Sequence, residues 1–428
     1  MALAQATPGV PPPNSRRLLV VTAAVVVAGV VVALAVRATT SAATATRWVG
    51  SWAASMHEPA LTGLTHDGFD NQTVRMVVHV SIGGDAVRIR LSNEFGTKPL
   101  TIGDATVGVP AKTHDGAVTG LHRISFSGRT STVVPIGGEL LSDAVPMAVP
   151  TLSDLTVSLW LPVATGPTTF HTVSRATSYV GDGDHAEDAS AGGYAPVSVD
   201  NPIPGKTDSP WFYLTGVDVQ TDRADGAVVV FGDSISDGFT SALDGNERWP
   251  DLLAVHLAAL PVGRHAPGVL NASLSGDALG HQSSKIPQLG PTALSRIDND
   301  VLSQTGVRTV IVELGINDLM LWGEHADAVV TELRQVAVRV HEARLSVFVC
   351  TISPYSAPPD GENERQLVNR YIRSATDFDG VIDMDQVLRD PNDGTKLRSD
   401  LDSGDHVHPT ARGYQLIADA MPLSKIAP

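Results

Sequence analysis

The sequence predicts an α/β protein in which an all-β sandwich precedes a domain with a parallel sheet covered by helices on both faces. Three observations support this prediction. Between residues 48 and 222, apolar and polar residues alternate in short runs, as in strands with one buried face. After residue 226, apolar runs alternate with helical stretches, which is typical of a parallel sheet covered by helices. Ahead of both regions, residues 18–36 form an uncharged apolar run.

The apolar run LLVVTAAVVVAGVVVALAV at residues 18–36 follows Arg16 and Arg17. A helix of this length spans about 28 Å, close to the hydrocarbon thickness of a bilayer. Because the run has no polar face, a transmembrane anchor or an export signal is expected in the tail, residues 1–47. The Ala-Thr-Ala at 43–45 offers a cleavage site, so retention and cleavage stay open. The basic pair predicts a body outside the cytoplasmic membrane, held by a single anchor or secreted.

The chain has 428 residues, which is enough for two domains after the N-terminal tail. Beyond Arg47 it carries 26 basic against 46 acidic side chains. Such a body repels nucleic acid and anionic lipid headgroups, so neither is expected as a main partner. The single cysteine, Cys350, cannot form an internal disulfide, and no CxxC or Cys/His cluster predicts a zinc site. We therefore expect chemistry without a metal, and the sequence indicates no protein partner.

In the first region, residues 48–222, the runs VRMVVHV, VRIRLSN and LTVSLWL alternate with a period of two. Turn residues lie between them, so antiparallel sheets packed as a sandwich are expected. The segment 183–210 is rich in Gly, Ala, Ser, Asp and Pro and is interpreted as a long loop. The strand-like run WFYLTGVDV that follows is expected to return to the sandwich.

In the second region, residues 226–428, four apolar runs are each followed by a helical stretch. The runs are VVVF, VRTVIVEL, LSVFVCTI and GVID, and the helices are expected near 248–260, 324–343, 362–377 and 410–420. Ligands of such sheets gather at the carboxyl ends of the strands. The segments that directly follow strands are therefore the first candidates for a functional site.

Two of these segments carry side chains that can act together as a nucleophile and its base. Ser234 follows the first strand in GDS, and a serine hydroxyl becomes nucleophilic when a base removes its proton. His408 in DHVHP is the candidate base, and Asp405, three residues earlier, can hold its other ring nitrogen. His406 is a second candidate base, although the spacing and the following Pro409 favour His408.

Two further segments offer donors for the oxyanion that forms when an ester is attacked. The candidate donors are the backbone N–H of Ser234, the backbone N–H of Gly276 in SGD and the side-chain amide of Asn317 in GIND. Gly276 lacks a side chain, which lets substrate approach its N–H closely. Asp318 is interpreted as the cap of a helix that begins near Leu319, which leaves Asn317 for the substrate.

In this order, the four segments resemble the blocks of the SGNH, or GDSL, serine hydrolase superfamily over residues 226–428. The resemblance implies a flavodoxin-like fold, no cofactor, and ester hydrolysis through an acyl-serine. It implies a triad and an oxyanion hole made by the residues just described: Ser234, Asp405 and His408, with Ser234, Gly276 and Asn317. The first region, 48–222, resembles the accessory jelly-roll domain of some two-domain carbohydrate esterases.

The expected function is an extracytoplasmic carboxylic ester hydrolase that acts on short O-acyl esters, chiefly acetyl esters, of carbohydrate. The alternative within the same chemistry is a lipase or lysophospholipase, and the sequence does not separate hydrolysis from acyl transfer. A glycan-binding protein without turnover is the alternative of a different class. A nucleotide-binding protein is disfavoured because neither GxGxxG nor GxxxxGK[ST] follows a strand.

Overall fold

The computed structural model describes residues 46–111, 115–201, 205–261, 265–281 and 286–427. The apolar run at 18–36 lies outside the described residues. Within those residues, no helix has the length and apolar character needed to cross a bilayer. Residues Arg47–Pro428 form one compact unit. The domain boundaries predicted at 48–222 and 226–428 therefore stay predictions.

The first half of the described chain is β-rich, and strands account for nearly all of its regular structure. Its one short helix, α1, spans Leu64–Asp67. The strands are β1 (Arg47–Ala53), β2 (Gln72–Val80), β3 (Gly84–Ser92), β4 (Leu100–Ile102), β5 (Asp104–Pro110), β6 (Val118–Arg123), β7 (Thr132–Val134), β8 (Glu139–Leu141), β9 (Val145–Val149), β10 (Ser153–Leu161), β11 (Phe170–His171), β12 (Ser178–Asp182), β13 (Tyr194–Val197), β14 (Val199–Asp200), β15 (Thr207–Asp208), β16 (Trp211–Phe212) and β17 (Leu214–Thr221).

Two antiparallel sheets organise this β-rich region. One has the order β1-β17-β3-β8, with β9 also paired to β3, and the other has the order β13-β12-β2-β10-β5-β6. In the second sheet Met76 lies opposite Val157, and both side chains are fully buried. Period-two alternation thus placed the apolar residues of β2 and β10 in the core, as predicted. The jelly-roll topology stays a prediction.

The interpretation of residues 183–210 as a loop is wrong in part. Strands β13, β14 and β15 lie within this segment, and β13 pairs with β12 at the edge of the six-stranded sheet. An open sheet edge offers unpaired N–H and C=O groups, so a chain of unfavourable composition can still pair there. The run WFYLTGVDV returns to the sheets as β16 and β17, as predicted, and β17 lies between β1 and β3.

The second half alternates strands with helices. The strands are β18 (Ala227–Gly232), β19 (Gly268–Asn271), β20 (Val307–Glu313), β21 (Ser346–Cys350) and β22 (Gly380–Ile382). The helices are α2 (Ser234–Asp237), α3 (Trp249–Ala258), α4 (Ala293–Ile297), α5 (Ile316–Met320), α6 (Ala326–Glu342), α7 (Pro359–Ser374), α8 (Met384–Leu388), α9 (Ala411–Asp419) and α10 (Leu423–Ile426). A short 3₁₀ turn spans Pro287–Leu289, and a wide helical turn spans Asp298–Leu302.

These five strands form a parallel sheet of order β19-β18-β20-β21-β22. Counted within the sheet, this is the order 2-1-3-4-5 of flavodoxin-like folds. Right-handed crossovers then place α3 on one face and α6 and α7 on the other. The chain direction across the sheet reverses beside β18, so a crevice opens at the carboxyl end of that strand. Ser234 follows β18 directly.

The β-rich region meets the parallel sheet along β1 and β19. The N–H of Gly50 donates to the carbonyl of Thr305 at 2.8 Å, and the N–H of Val269 donates to Ser81 Oγ at 2.9 Å. A Cβ added at Gly268 would lie 2.0 Å from the carbonyl oxygen of Gly50, so glycine is required for this approach. These contacts join the two regions at the amino ends of β19 and β20, the end of the parallel sheet opposite Ser234.

Candidate active site

Ser234, His408 and Asp405 lie together at the carboxyl end of β18. The Oγ atom of Ser234 is 2.7 Å from Nε2 of His408, and Nδ1 of His408 is 2.7 Å from Oδ2 of Asp405. When Nδ1 donates its proton to the carboxylate, Nε2 is the bare nitrogen that accepts the serine hydroxyl. This geometry allows the imidazole to remove the serine proton.

The chain around Ser234 makes a sharp turn from strand to helix. Gly232 ends β18, and a Cβ there would lie 2.5 Å from Ser236 Oγ. Oδ1 of Asp233 accepts the N–H of Ile235 at 3.0 Å, so this side chain braces the turn. The N–H of Ser234 lies in the first turn of α2, where a helix provides no acceptor. It can therefore donate to an oxyanion.

Asp405 holds His408 from within a tight turn. Its Oδ1 accepts the N–H groups of Val407 and His408 at 3.0 and 2.8 Å. Burial raises the pKa of the Asp405 carboxyl, but the hydrogen bonds and charge of His408 outweigh this effect and hold the pKa well below its usual value. Asp405 therefore remains a carboxylate at neutral and mildly acidic pH.

His406 forms a second histidine–aspartate pair next to the first. Its Nδ1 lies 2.7 Å from Oδ2 of Asp402. The side chain of His406 is 66% exposed, whereas that of His408 is 12% exposed. The structure places His408, and not His406, against Ser234.

The two other predicted oxyanion residues, Gly276 and Asn317, line the same cavity as Ser234. Gly276 has a φ of 90°, and a Cβ there would lie 2.3 Å from Cδ2 of Leu289, so both backbone and space require glycine. Nδ2 of Asn317 donates to the carbonyl of Asp277 at 2.7 Å. An amide nitrogen carries two protons, so the second one remains for a ligand.

Asp318 does not cap the helix, contrary to the prediction. Helix α5 begins at Ile316, with Gly315 before it, and the N–H of Leu279 donates to both Asp318 carboxylate oxygens at 2.9 and 3.1 Å. Asp318 is buried and braces the chain just after Gly276. The prediction failed because an aspartate near the start of a helix can accept either an N–H of that helix or an N–H from a distant segment. The sequence does not distinguish these two cases.

A buried chain of hydrogen bonds connects the β-rich region to the segment that holds Gly276. Nδ1 of His171 lies 2.8 Å from the carbonyl of Ser55, and Nε2 lies 3.0 Å from Oδ1 of Asp237. Oδ2 of Asp237 accepts the N–H and the hydroxyl of Ser275 at 3.1 and 2.6 Å. Both ring nitrogens of His171 therefore face oxygen acceptors, one in each region of the chain. Burial raises the pKa of Asp237, but His171 outweighs burial and lowers it.

The contributions of the β-rich region to the site were missed by sequence reasoning. His57, Thr172 and Val173 line the cavity together with Ser234, and His171 holds Asp237. No local motif marks these residues, since His171 and Asp237 are 66 positions apart. A single sequence offered no signal that could have found them.

The cavity beside Ser234 has a volume of about 250 Å³ and a largely apolar lining. An engineered cavity of about 150 Å³ holds benzene, so this one has room for an acyl group larger than acetyl. Its apolar side chains come from both regions of the chain: Val173, Phe239, Ile286, Leu289, Met320 and Leu321.

A polar groove of about 660 Å³ lies on the Asp405 side of the triad. Its lining includes Arg175, Lys206 and Asp208 from the β-rich region, and Asp405 from the turn before α9. Phe239 borders both the cavity and the groove, and its ring centroid lies 4.8 Å from that of His408. The triad therefore connects an apolar side of the site with a polar side.

Over the described ranges, no three His, Cys, Asp or Glu side chains are grouped to hold a metal ion. Cys350 is buried in β21, and burial raises the pKa of its thiol. A thiol in this state is a poor nucleophile.

Comparison with known proteins matches residues 230–416 to the model of the GDSL-like lipase/acylhydrolase family. No curated protein matches the chain. A GDSL-like lipase from Bacteroides thetaiotaomicron is 18% identical over 46% of this chain and 87% of its own, with a TM-score of 0.35. The psychrotrophic esterase EstA from Pseudoalteromonas sp. is 22% identical over 46% and 93%, with a TM-score of 0.34. A family two carbohydrate esterase from Clostridium thermocellum, in complex with cellohexaose, is 13% identical over 81% and 88%, with a TM-score of 0.35.

Proposed function

From the premise that residues 230–416 belong to the GDSL-like lipase/acylhydrolase family and that the protein is a carboxylic ester hydrolase, we propose that Ser234 is its nucleophile. The observation that carries the proposal is the contact of 2.7 Å between Ser234 Oγ and His408 Nε2, with Asp405 on the other ring nitrogen. His408 takes the serine proton as Oγ attacks the ester carbonyl. It then gives that proton to the departing alcohol.

The oxyanion of each tetrahedral intermediate is bound by the N–H groups of Ser234 and Gly276 and by the side chain of Asn317. All three residues line the cavity. Once the alcohol has left, water attacks the acyl-serine, and His408 again serves as the base. Asp405 stabilises the imidazolium that forms in both steps, since its pKa keeps it ionised.

The substrate follows from the two sides of the site. In this proposal the alcohol that His408 protonates extends towards the polar groove beside Asp405 and Phe239, and the acyl chain enters the apolar cavity. We propose an ester between an acyl chain of several carbons and a polar alcohol. The groove supports the expected carbohydrate alcohol, whereas the cavity volume favours the longer acyl group of the lipase-type alternative over acetyl.

Acyl-chain profiling of the full-length protein tests this proposal. With 4-nitrophenyl esters from acetate to dodecanoate, kcat/KM should rise beyond acetate to a maximum near hexanoate or octanoate and then fall. Ser234→Ala should abolish turnover and labelling by a fluorophosphonate probe while leaving the melting temperature close to that of the wild type. A maximum at acetate, with release of acetate from acetylated polysaccharide, would favour the acetyl-carbohydrate substrate. A wild type that resists the probe but binds glycan would favour the binding protein without turnover.

The extracytoplasmic location and the N-terminal anchor are proposed on the sequence of residues 16–36 alone. In cells, the body should be digested by external protease without lysis. The protein should sediment with membranes if the segment is retained, and should appear in the medium if it is cleaved.

A further inference from the structure

Two side chains of the β-rich region lie at the cavity with unpartnered polar atoms. His57 follows β1, and Thr172 follows β11; both line the cavity that holds Ser234. Within the part of the chain that the structure describes, neither ring nitrogen of His57 nor the Thr172 hydroxyl has a hydrogen-bond partner. His57 is fully buried, and Thr172 is 1% exposed. Such groups destabilise a fold unless something completes their hydrogen bonds.

His57 is electrically neutral in this position. Burial, reinforced by the positive charge of His171 with its ring centroid 5.4 Å away, lowers the pKa of His57 to about 3. The ring therefore carries one N–H donor and one bare nitrogen acceptor at neutral pH. The Thr172 hydroxyl likewise both donates and accepts. Together they offer a neutral pair of hydrogen-bonding groups in an otherwise largely apolar cavity.

The surroundings decide which ligand group fits. The charged groups closest to this part of the site are already paired: His171 with Asp237, and Arg296 with Asp277. A carboxylate or ammonium group would therefore be desolvated without a counter-ion. A hydroxyl is neutral, donates and accepts, and so matches both His57 and Thr172. Because His57 and Thr172 are almost completely buried, the lining has to move apart slightly before a ligand hydroxyl reaches their polar atoms.

We propose that His57 and Thr172 form a subsite that binds a hydroxyl group on the acyl chain of the substrate. This inference rests on the proposed function, which places the acyl chain of the ester in this cavity. The preferred substrate is then a hydroxyacyl ester. The β-rich region then selects the acyl group, and the residues of the α/β region that lie at the carboxyl ends of the parallel strands carry out the reaction.

Matched esters with and without a terminal hydroxyl test the subsite in the full-length protein. For the 4-nitrophenyl esters from butanoate to octanoate, the ratio of kcat/KM for the hydroxylated and plain esters should peak at one chain length. Thr172→Val removes the hydroxyl at nearly constant shape and should lower that ratio about tenfold. Thr172→Ser keeps the hydroxyl and should hold the ratio within about twofold. His57→Phe, which removes the ring nitrogens, should also lower it.

Stability provides an independent readout. Because the Thr172 hydroxyl has no protein partner in the described chain, Thr172→Val should melt at the wild-type temperature or above it. A lower melting temperature, an unchanged ratio in Thr172→Val, or a wild type that disfavours the hydroxyl at every chain length would overturn the inference. If the plain esters are hydrolysed and Ser234 is labelled by fluorophosphonate, such a result counts against the subsite alone. Absence of both turnover and labelling would refute the proposed function and the subsite together.

Discussion

The two sides of the site use the same residue type in different ways. On the catalytic side (Ser234, Asn317 and His408), the imidazole of His408 has a hydroxyl on one nitrogen and a carboxylate on the other. On the β side (His57, His171 and Thr172), His171 is held by a carbonyl and a carboxylate, and the two ring nitrogens of His57 have no hydrogen-bond partner among the described residues. The comparison teaches that partners and burial, and not residue type, determine whether a histidine reacts, positions a neighbour or selects a ligand.

The largest effect should come from the catalytic side, where two neighbouring histidines can be compared directly. His408→Ala should lower kcat for ester hydrolysis by about 10⁴-fold, because Ser234 loses its base. His406→Ala is the matched control, since His406 also pairs with an aspartate but is largely exposed and does not contact Ser234. Its kcat should stay within about twofold of the wild type. Steady-state kinetics with one ester decide between them, and equal losses in both variants would contradict the assignment.

An intermediate effect is expected where the two sides meet, at Asp237. Asp237→Asn weakens the acceptor that Ser275 and His171 share, so we expect kcat to fall about tenfold with little change in KM. Removing one partner of a buried ion pair typically costs about 3–5 kcal/mol in the free energy of unfolding. Ser275→Ala loses only one of the hydrogen bonds to Asp237 and should lower kcat about threefold or less. Wild-type kcat and stability in Asp237→Asn would show that the hydrogen-bond chain is dispensable.

The smallest effect concerns pH, and the two sides should respond with opposite signs. The folded state holds the pKa of His57 at about 3, below its ordinary value of 6.5. The contribution of His57 to stability is therefore complete above pH 6.5 and lost as the pH falls towards 3. Burial raises the pKa of Glu313, which lies beneath the nucleophile turn and accepts the Ser236 hydroxyl at 2.7 Å. Its contribution is complete below the ordinary value of 4.5 and is lost as the pH rises above it.

Urea unfolding between pH 4.5 and 6.5 separates the two contributions. The free energy of unfolding of His57→Phe, minus that of the wild type, should fall as the pH rises. The same difference for Glu313→Gln should rise with pH. Neither difference should change by more than about 1.4 kcal/mol per pH unit. Parallel curves for all three proteins would mean that neither group changes its ionisation on folding.

Much of the fold was predictable because its signals are local. The predicted helix near 324–343 is α6, Ala326–Glu342, and the predicted helix near 410–420 is α9, Ala411–Asp419. A helix reveals itself by a period of 3.6 residues and a strand by a period of two, so a short window of sequence suffices for both. The segment 183–210 was misread because the pairing of β13 with β12 depends on a partner distant in sequence, not on its own composition.

By itself, the sequence determined the order of the β-rich and α/β regions and the identity of the candidate triad and oxyanion residues. Most of these residues follow strands of the predicted parallel sheet. In such a sheet the carboxyl ends of the strands lie at one edge, so residues distant in sequence are expected to meet there. Only the tertiary structure decided between His406 and His408, moved Asp318 from a helix cap to a brace, and brought His57, His171 and Thr172 to the cavity. These outcomes depend on the contact between two regions far apart in sequence: Ser55 and His171, for example, are separated by 116 positions. No local pattern encodes such contacts, because they form only when both regions have folded and packed together.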